Sequence, residues 1–265
     1  GVRDQQPPHA GVAEKFLHRS SEASGEPRRS KPRGGLSPFG RAVITDAMKV
    51  PPRSASVLIL AFFAAAAFCP SARAQLGARS AAEWVRMLDA QARVSKLRVD
   101  DVVTALALRP GAKVADIGAG SGVFTLPLAG AVTTSGRVYA VDIEQGLVDH
   151  IAGKAREAKL TQVQGVLGKF TDPALPARDL DLAFIYDVLH HIEDRATYLR
   201  NLAGYLQPGG RVAVIDFFPE RGPHRNDPAL QITKEQTRRL MAEAGLRLVA
   251  EHRLYDDKWF VIYGK

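Results

Sequence analysis

From Lys113 onward the chain alternates short apolar runs with segments of helical spacing, and this alternation restricts the fold more than any other feature. Residues 113–117, 137–141, 162–167, 180–186 and 211–217 read as strands. Between them, residues 123–131, 145–159 and 194–206 read as helices, the last stopped by "QPGG", where Pro208 cannot continue a helix. Strands that are apolar nearly throughout are covered on both faces, so the pattern predicts a parallel sheet between two helical layers. Two helices precede it, at residues 80–93, with Trp84, Val85 and Leu88 on one face, and at residues 99–108. A last helix over 233–244 starts with a capping box, Thr233 three residues before Gln236, and stops at Gly245. The closing runs 246–254 and 258–263 flank "YDD" and predict an antiparallel hairpin. One domain with no internal repeat accounts for all of this.

The segment ahead of it has a different character. Residues 1–47 are rich in Pro, Gly, Ser and Arg without any period, a composition that cannot bury enough apolar surface to order itself. Met48, Lys49 and Arg53, the apolar run 57–68 and "ARA" at 72–74 then have the layout of a secretory signal peptide. The apolar run is too short to span a bilayer. Met48 is therefore read as the start of translation, residues 1–47 as an upstream extension, 48–74 as a cleavable leader, and export as the expected destination. Without use of the leader the protein would stay in the cytoplasm. The only cysteine, Cys69, lies in the leader behind Phe68, which is too large for a lipoprotein signal, so the mature chain offers no disulfide and no thiolate. The formal net charge of +8 is also a property of this segment, because residues 1–74 hold 11 of the 36 basic residues and 5 of the 28 acidic ones. The remainder is almost balanced, which argues against nucleic acid as a partner. No stable membrane insertion is expected once the leader is removed.

The first strand runs into a glycine turn, "VADIGAGSGVF". A phosphate loop needs Gly-Lys-Ser/Thr, which is missing. A dinucleotide fingerprint needs its third glycine at position 123, where Val123 stands. Asp116 precedes the turn, and Asp142 ends the second strand, where a carboxylate can accept from both hydroxyls of a ribose.

"VADIGAGSG", "GRVYAVDI", "DLDLAFIYDVLHHI" and "LQPGGRVAVIDF", in this order and spacing, resemble the class I S-adenosylmethionine-dependent methyltransferases. The group most resembled is that of the small methyltransferase type 11 and ubiquinone/menaquinone-biosynthesis proteins. The resemblance covers residues 100–265 and implies a single Rossmann-like doubly wound seven-stranded sheet with an antiparallel last strand. Residues 75–98 would form a helical lid ahead of it. The resemblance further implies that Asp116, Gly118, Ala119, Gly120 and Gly122 line the S-adenosyl-L-methionine site. Asp142 would hold the ribose, Ile143 would pack on adenine, and Asp172 would accept from the adenine amino group. The family usually places that last acid directly after a glycine, where this chain has Lys169. For Asp172, a turn cap before Pro173 competes closely with binding.

The implied activity is methyl transfer to a small-molecule O, N or C acceptor. Such a displacement depends on positioning, aided by a base where the acceptor carries a proton. Asp187 and His190 follow the fourth strand. His190 resembles in position the base histidine of plant-type small-molecule O-methyltransferases, although His191 stands where those have an acid. Phe217, Phe218, His224, Tyr255 and Trp84 are candidates for the acceptor side. His190, His191 and His224 are poorly spaced for a metal site, so no metal is expected. Two other classes compete: a catalytically silent exported binding protein with the same fold, and a nicotinamide-dependent oxidoreductase, which Val123 and the closing hairpin oppose.

Overall fold

The computed structural model describes residues 79–265. The upstream extension, the leader and the first residues of the expected lid lie outside the described residues.

Seven strands form one sheet in the order β3-β2-β1-β4-β5-β7-β6. They are β1 Lys113–Ile117, β2 Arg137–Asp142, β3 Val163–Leu167, β4 Leu180–Tyr186, β5 Leu206–Phe217, β6 Arg247–His252 and β7 Lys258–Gly264. The first five run parallel, and β7 inserts antiparallel between β5 and β6. This is the expected doubly wound sheet with its antiparallel closing strand. The period of two along each strand divides the core between the faces. On β4, Ala183 and Ile185 pack with Tyr198, Leu199 and Leu202 of the helix Arg195–Ala203 on one side. Leu182, Phe184 and Tyr186 pack on the other side with Phe124, Leu128 and Val132 around the helix Thr125–Val132.

Two expectations are corrected. Residues 80–93 form two helices, α1 Ala81–Leu88 and α2 Gln91–Val94, because the first turn is capped at Ser80 and the helix stops at Asp89. Trp84, Val85 and Leu88 do share the less exposed face of α1. The other correction concerns "QPGG". The helix ends at Ala203, and Gln207 to Gly210 belong to a bulged start of β5, where Leu180 pairs Leu206 but Leu182 pairs Arg211. A Cβ at Gly210 would lie 2.6 Å from the Leu180 carbonyl, so the bulge needs glycine there. The helix Lys234–Glu243 carries the expected capping box between Thr233 and Gln236. Among the described residues no helix is long and apolar enough to cross a membrane.

β1 is flanked by β2 on one side and β4 on the other. The chain order reverses between β1 and β4, and a crevice beyond the carboxyl ends of the strands is expected at such a point. The cavity lined by Asp116, the glycine turn and Tyr186 opens there.

Candidate active site

The glycine turn is held by backbone bonds, from Ala119 N–H to the Val141 carbonyl at 2.9 Å and from Gly122 N–H to the Ala119 carbonyl at 2.9 Å. Gly118, Gly120 and Gly122 have φ of 68°, 58° and 81°, the left-handed region that glycine enters without penalty. Gly118 is also a point of close approach: a Cβ there would lie 2.4 Å from the Val188 side chain, just past β4. The turn is therefore fitted directly to the loop that carries Asp187 and His190.

Asp116 is 3% exposed and accepts from Thr125 Oγ1 at 2.6 Å. Burial pushes its pKa up to about 7, and the neighbouring charge of Asp142 adds to the shift. Asp142 is tied to the same turn. Its Oδ2 accepts from Gly120 N–H at 2.9 Å and its Oδ1 from Glu144 N–H at 3.1 Å, and burial again raises its pKa. Asp116, Gly118, Ala119 and Gly120 line a cavity of about 360 Å³ together with Ser121, Val123, Phe124 and Tyr186. Leu88, Arg93 and Leu97 close the same cavity from the N-terminal segment. Leu88 reaches the turn itself, since a Cβ at Gly120 would meet its Cδ1 at 2.8 Å. Lys154 fastens the arrangement, donating to the Ser121 carbonyl at 3.0 Å and pairing with Asp89 at 3.6 Å.

Asp172 is not among the residues that line this cavity, and neither are Gly122, Asp142 and Ile143. The Asp172 Oδ1 accepts from Ala174 N–H at 2.6 Å and from the Tyr205 hydroxyl at 2.8 Å, the bonds of a turn cap. Ile143 follows Asp142 at the end of β2, half-buried.

A second group of side chains gathers past β4 and β5. Asp187 has φ of 55°, uncommon for a non-glycine residue, and burial raises its pKa to about 6. Lys258, at the start of β7, pairs with its Oδ2 at 3.2 Å and opposes that rise. The same ammonium stands 2.9 Å from the Phe217 ring centroid, and burial lowers its pKa. His190 is 5% exposed, and its Nδ1 lies 2.7 Å from Oδ1 of Asp216, a residue 1% exposed at the end of β5. Oδ2 of Asp216 accepts from the His190 backbone N–H at 3.2 Å, so the carboxylate fixes both backbone and ring. This leaves Nε2 as the free nitrogen of His190.

Next to His190 lies a cavity of about 220 Å³, lined also by Asp216, Phe217, Gly222, Pro223 and His224. The His190 and His191 ring centroids are 4.1 Å apart, and His224 stands 5.3 Å from each. Burial, then the neighbouring histidines, lower the pKa of His191 to about 4, and His224 shifts the same way. The fold thus brings together three histidines whose sequence spacing gave little reason to join them. Of the proposed acceptor-side residues, Phe217 and His224 meet at this cavity. Phe218 packs against the core, and Tyr255 donates to the Leu97 carbonyl. Trp84 lies on α1 under the Arg79 guanidinium.

Sequence reasoning missed Asp216, Lys258, Tyr186 and Thr125. Asp216 left a trace, a carboxylate closing the apolar run "RVAVID". Lys258 left none, because an isolated lysine at the start of a strand looks like any solvated one.

With this geometry in view, comparison with known proteins identifies the fold. Residues 115–214 match the family model of a methyltransferase domain. The chain is 31% identical over 118 residues to 2-phytyl-1,4-naphtoquinone methyltransferase of Synechococcus elongatus, 44% of this chain and 51% of that protein. It is 26% identical over 117 residues to demethylmenaquinone methyltransferase of a Geobacillus species, 44% of this chain and 50% of that protein. The chain thus spans about half the length of these curated relatives. Among solved structures, a SAM-dependent methyltransferase from Aquifex aeolicus superposes with a TM-score of 0.63 at 21% identity, covering 70% of this chain and 98% of that one. The fold is that of the class I methyltransferases.

Proposed function

We propose that this protein is an S-adenosylmethionine-dependent methyltransferase acting on a small-molecule O, N or C acceptor. One observation carries the proposal beyond family likeness. Asp116 is a carboxylate kept out of water at the mouth of the glycine turn, and among the described residues it has Thr125 as its one hydrogen-bond partner and no cation paired with it. A carboxylate so placed is costly as an anion until a cationic group arrives, and the ammonium of the cofactor's methionine end supplies one. The three glycines let the backbone approach that ligand, and Asp142, already oriented by Gly120 and Glu144, offers a carboxylate to ribose hydroxyls. These residues fit the cofactor.

When bound, the cofactor supplies an electrophilic methyl on a sulfonium, and the protein's part is placement and proton management. Residues 75–98 would act as a lid, with Leu88, Arg93 and Leu97 excluding water over the cavity they line. Asp187 would border the methionine end, its charge moderated by Lys258. Asp216 holds the His190 ring so that Nε2 can take a proton from an acceptor hydroxyl or amine. Both curated relatives are named as methyltransferases of quinones, which supports a quinone-like small-molecule acceptor here. The expected signal peptide makes export part of the proposal, and sequencing the mature N-terminus from cells tests it: a start at Gln75 supports export.

The activity test is production of S-adenosylhomocysteine from S-adenosylmethionine with a panel of phenols, hydroquinones and amines. His190→Ala is expected to lower turnover by about 10²–10⁴ while leaving cofactor binding in place. Unchanged turnover would remove His190 from the mechanism.

A further inference from the structure

The three histidines past β4 and β5 are arranged in a way that proton transfer alone does not require. His190 and His191 sit on the 3-10 turn Leu189–His191, and His224 comes from the loop after β5. One ring nitrogen of each lies within 4.8 Å of the others. Tetrahedral coordination at the usual zinc–imidazole length separates nitrogens by about 3.3 Å, so modest rotations of the two less buried rings would close the set. We propose that His190, His191 and His224 form a binding site for a divalent transition-metal ion of the zinc class.

Three features of the surroundings support this. The Nδ1 of His190 is engaged by Asp216, itself almost fully buried, so Nε2 is the nitrogen left to coordinate. A carboxylate on the far nitrogen of a ligating histidine is the usual way a protein fixes the tautomer and ring direction of a metal ligand. The backbones on both sides of the cluster are clamped as well. One Arg195 guanidinium donates to the His190 carbonyl at 2.7 Å and to the Ala229 carbonyl at 3.1 Å. The His224 carbonyl accepts from Gln231 Nε2 at 2.8 Å and from Asp227 N–H at 2.9 Å. Finally, His190 and His224 face a cavity, so three protein ligands would leave a further coordination position open to a small molecule, as catalytic rather than structural sites do.

The site stands on its own residues, but its use rests on the proposed methyl transfer. There an ion would bind an acceptor oxygen and lower the pKa of its hydroxyl. His190 would then serve as ligand, and act as proton acceptor only in the metal-free protein.

The test is titration of the metal-free full chain with Co²⁺, read by its visible absorption, followed by displacement with Zn²⁺. Tetrahedral-type cobalt bands that saturate at one ion per chain and vanish on adding Zn²⁺ are expected. His224→Gln and His191→Gln should each weaken binding at least tenfold, and Asp216→Asn by about 10–100-fold. His9 and His18 lie outside the described residues, so the variants decide where the ion sits. Absence of saturable bands, or affinity unchanged in both His224→Gln and His191→Gln, would overturn the proposal. S-adenosylhomocysteine binding by the same variants shows that each has folded. Metal binding by a wild-type protein that ignores S-adenosylhomocysteine would uphold this site while refuting the cofactor assignment.

Discussion

The glycine cradle and the carboxylate–histidine rim occupy the same end of the sheet, yet the chain builds them by opposite means. The cradle is local. Its glycines and Asp116 fall within seven residues of sequence, and only Asp142 comes from the next strand. Its shape follows from backbone conformation, three residues at positive φ, and its tolerances are those of atoms in contact. The rim is assembled at long range. Asp216 reaches His190 across 26 residues, and Lys258 reaches Asp187 from a strand near the chain's end. Its character is electrostatic, a set of titratable groups removed from water and answerable to one another. A pre-shaped backbone can hold a ligand that varies little, whereas a rim of paired side chains can be retuned for different acceptors by single substitutions.

This contrast can be broken at either side. The largest stability loss is expected at the rim, from Lys258→Met, which leaves the Asp187 carboxylate buried without its cation. Denaturant unfolding should show a loss of about 3–5 kcal/mol. A loss under 1 kcal/mol would mean that the pair contributes little. Gly118→Ala probes the cradle. It forces an L-residue to φ of 68° and drives a Cβ against Val188, for an expected cost of about 2–4 kcal/mol together with loss of cofactor binding. The change expected from Asp116→Asn is one of pH dependence, and it has a definite sign. Folding raises this pKa from 3.8 to about 7, so over that window the unfolded chain has released the proton and the folded chain still holds it. Stability therefore falls as pH rises through the window and levels off above it. Asp187 contributes in the same sense up to about 6. The Asn variant should lose less stability between the two ends of the window and exceed the wild type above it, while binding the cofactor poorly. An unaltered pH profile would show that Asp116 does not titrate as described. The smallest effect belongs to the scaffold: Thr233→Ala removes one cap and should cost about 1 kcal/mol without touching cofactor affinity.

The same contrast explains what could be read from the sequence. Strands β1 and β4 appear with their bounds intact because each is an apolar run closed by residues that cannot extend it. The cradle was legible because a glycine turn after a strand has few other uses. The break at Asp89 and the bulge at Gln207 to Gly210 were hidden, since a short helix and a bulged strand copy the local pattern of longer elements. The Asp216–His190 and Lys258–Asp187 pairs were hidden for a deeper reason. They depend on which strands lie beside β5 and on register, and β7 becomes its neighbour only when the closing hairpin folds back to place β7 between β5 and β6.

The central claim is that the turn around Gly118 to Gly122 is shaped for S-adenosylmethionine. Calorimetric titration of the full chain with S-adenosylhomocysteine tests it most directly, with NADH as the rival ligand and Asp142→Ala as the cradle variant. The account predicts one molecule bound per chain, affinity at least tenfold weaker in Asp142→Ala, and no heat from NADH. Binding of NADH in place of S-adenosylhomocysteine, or binding of neither, would contradict it.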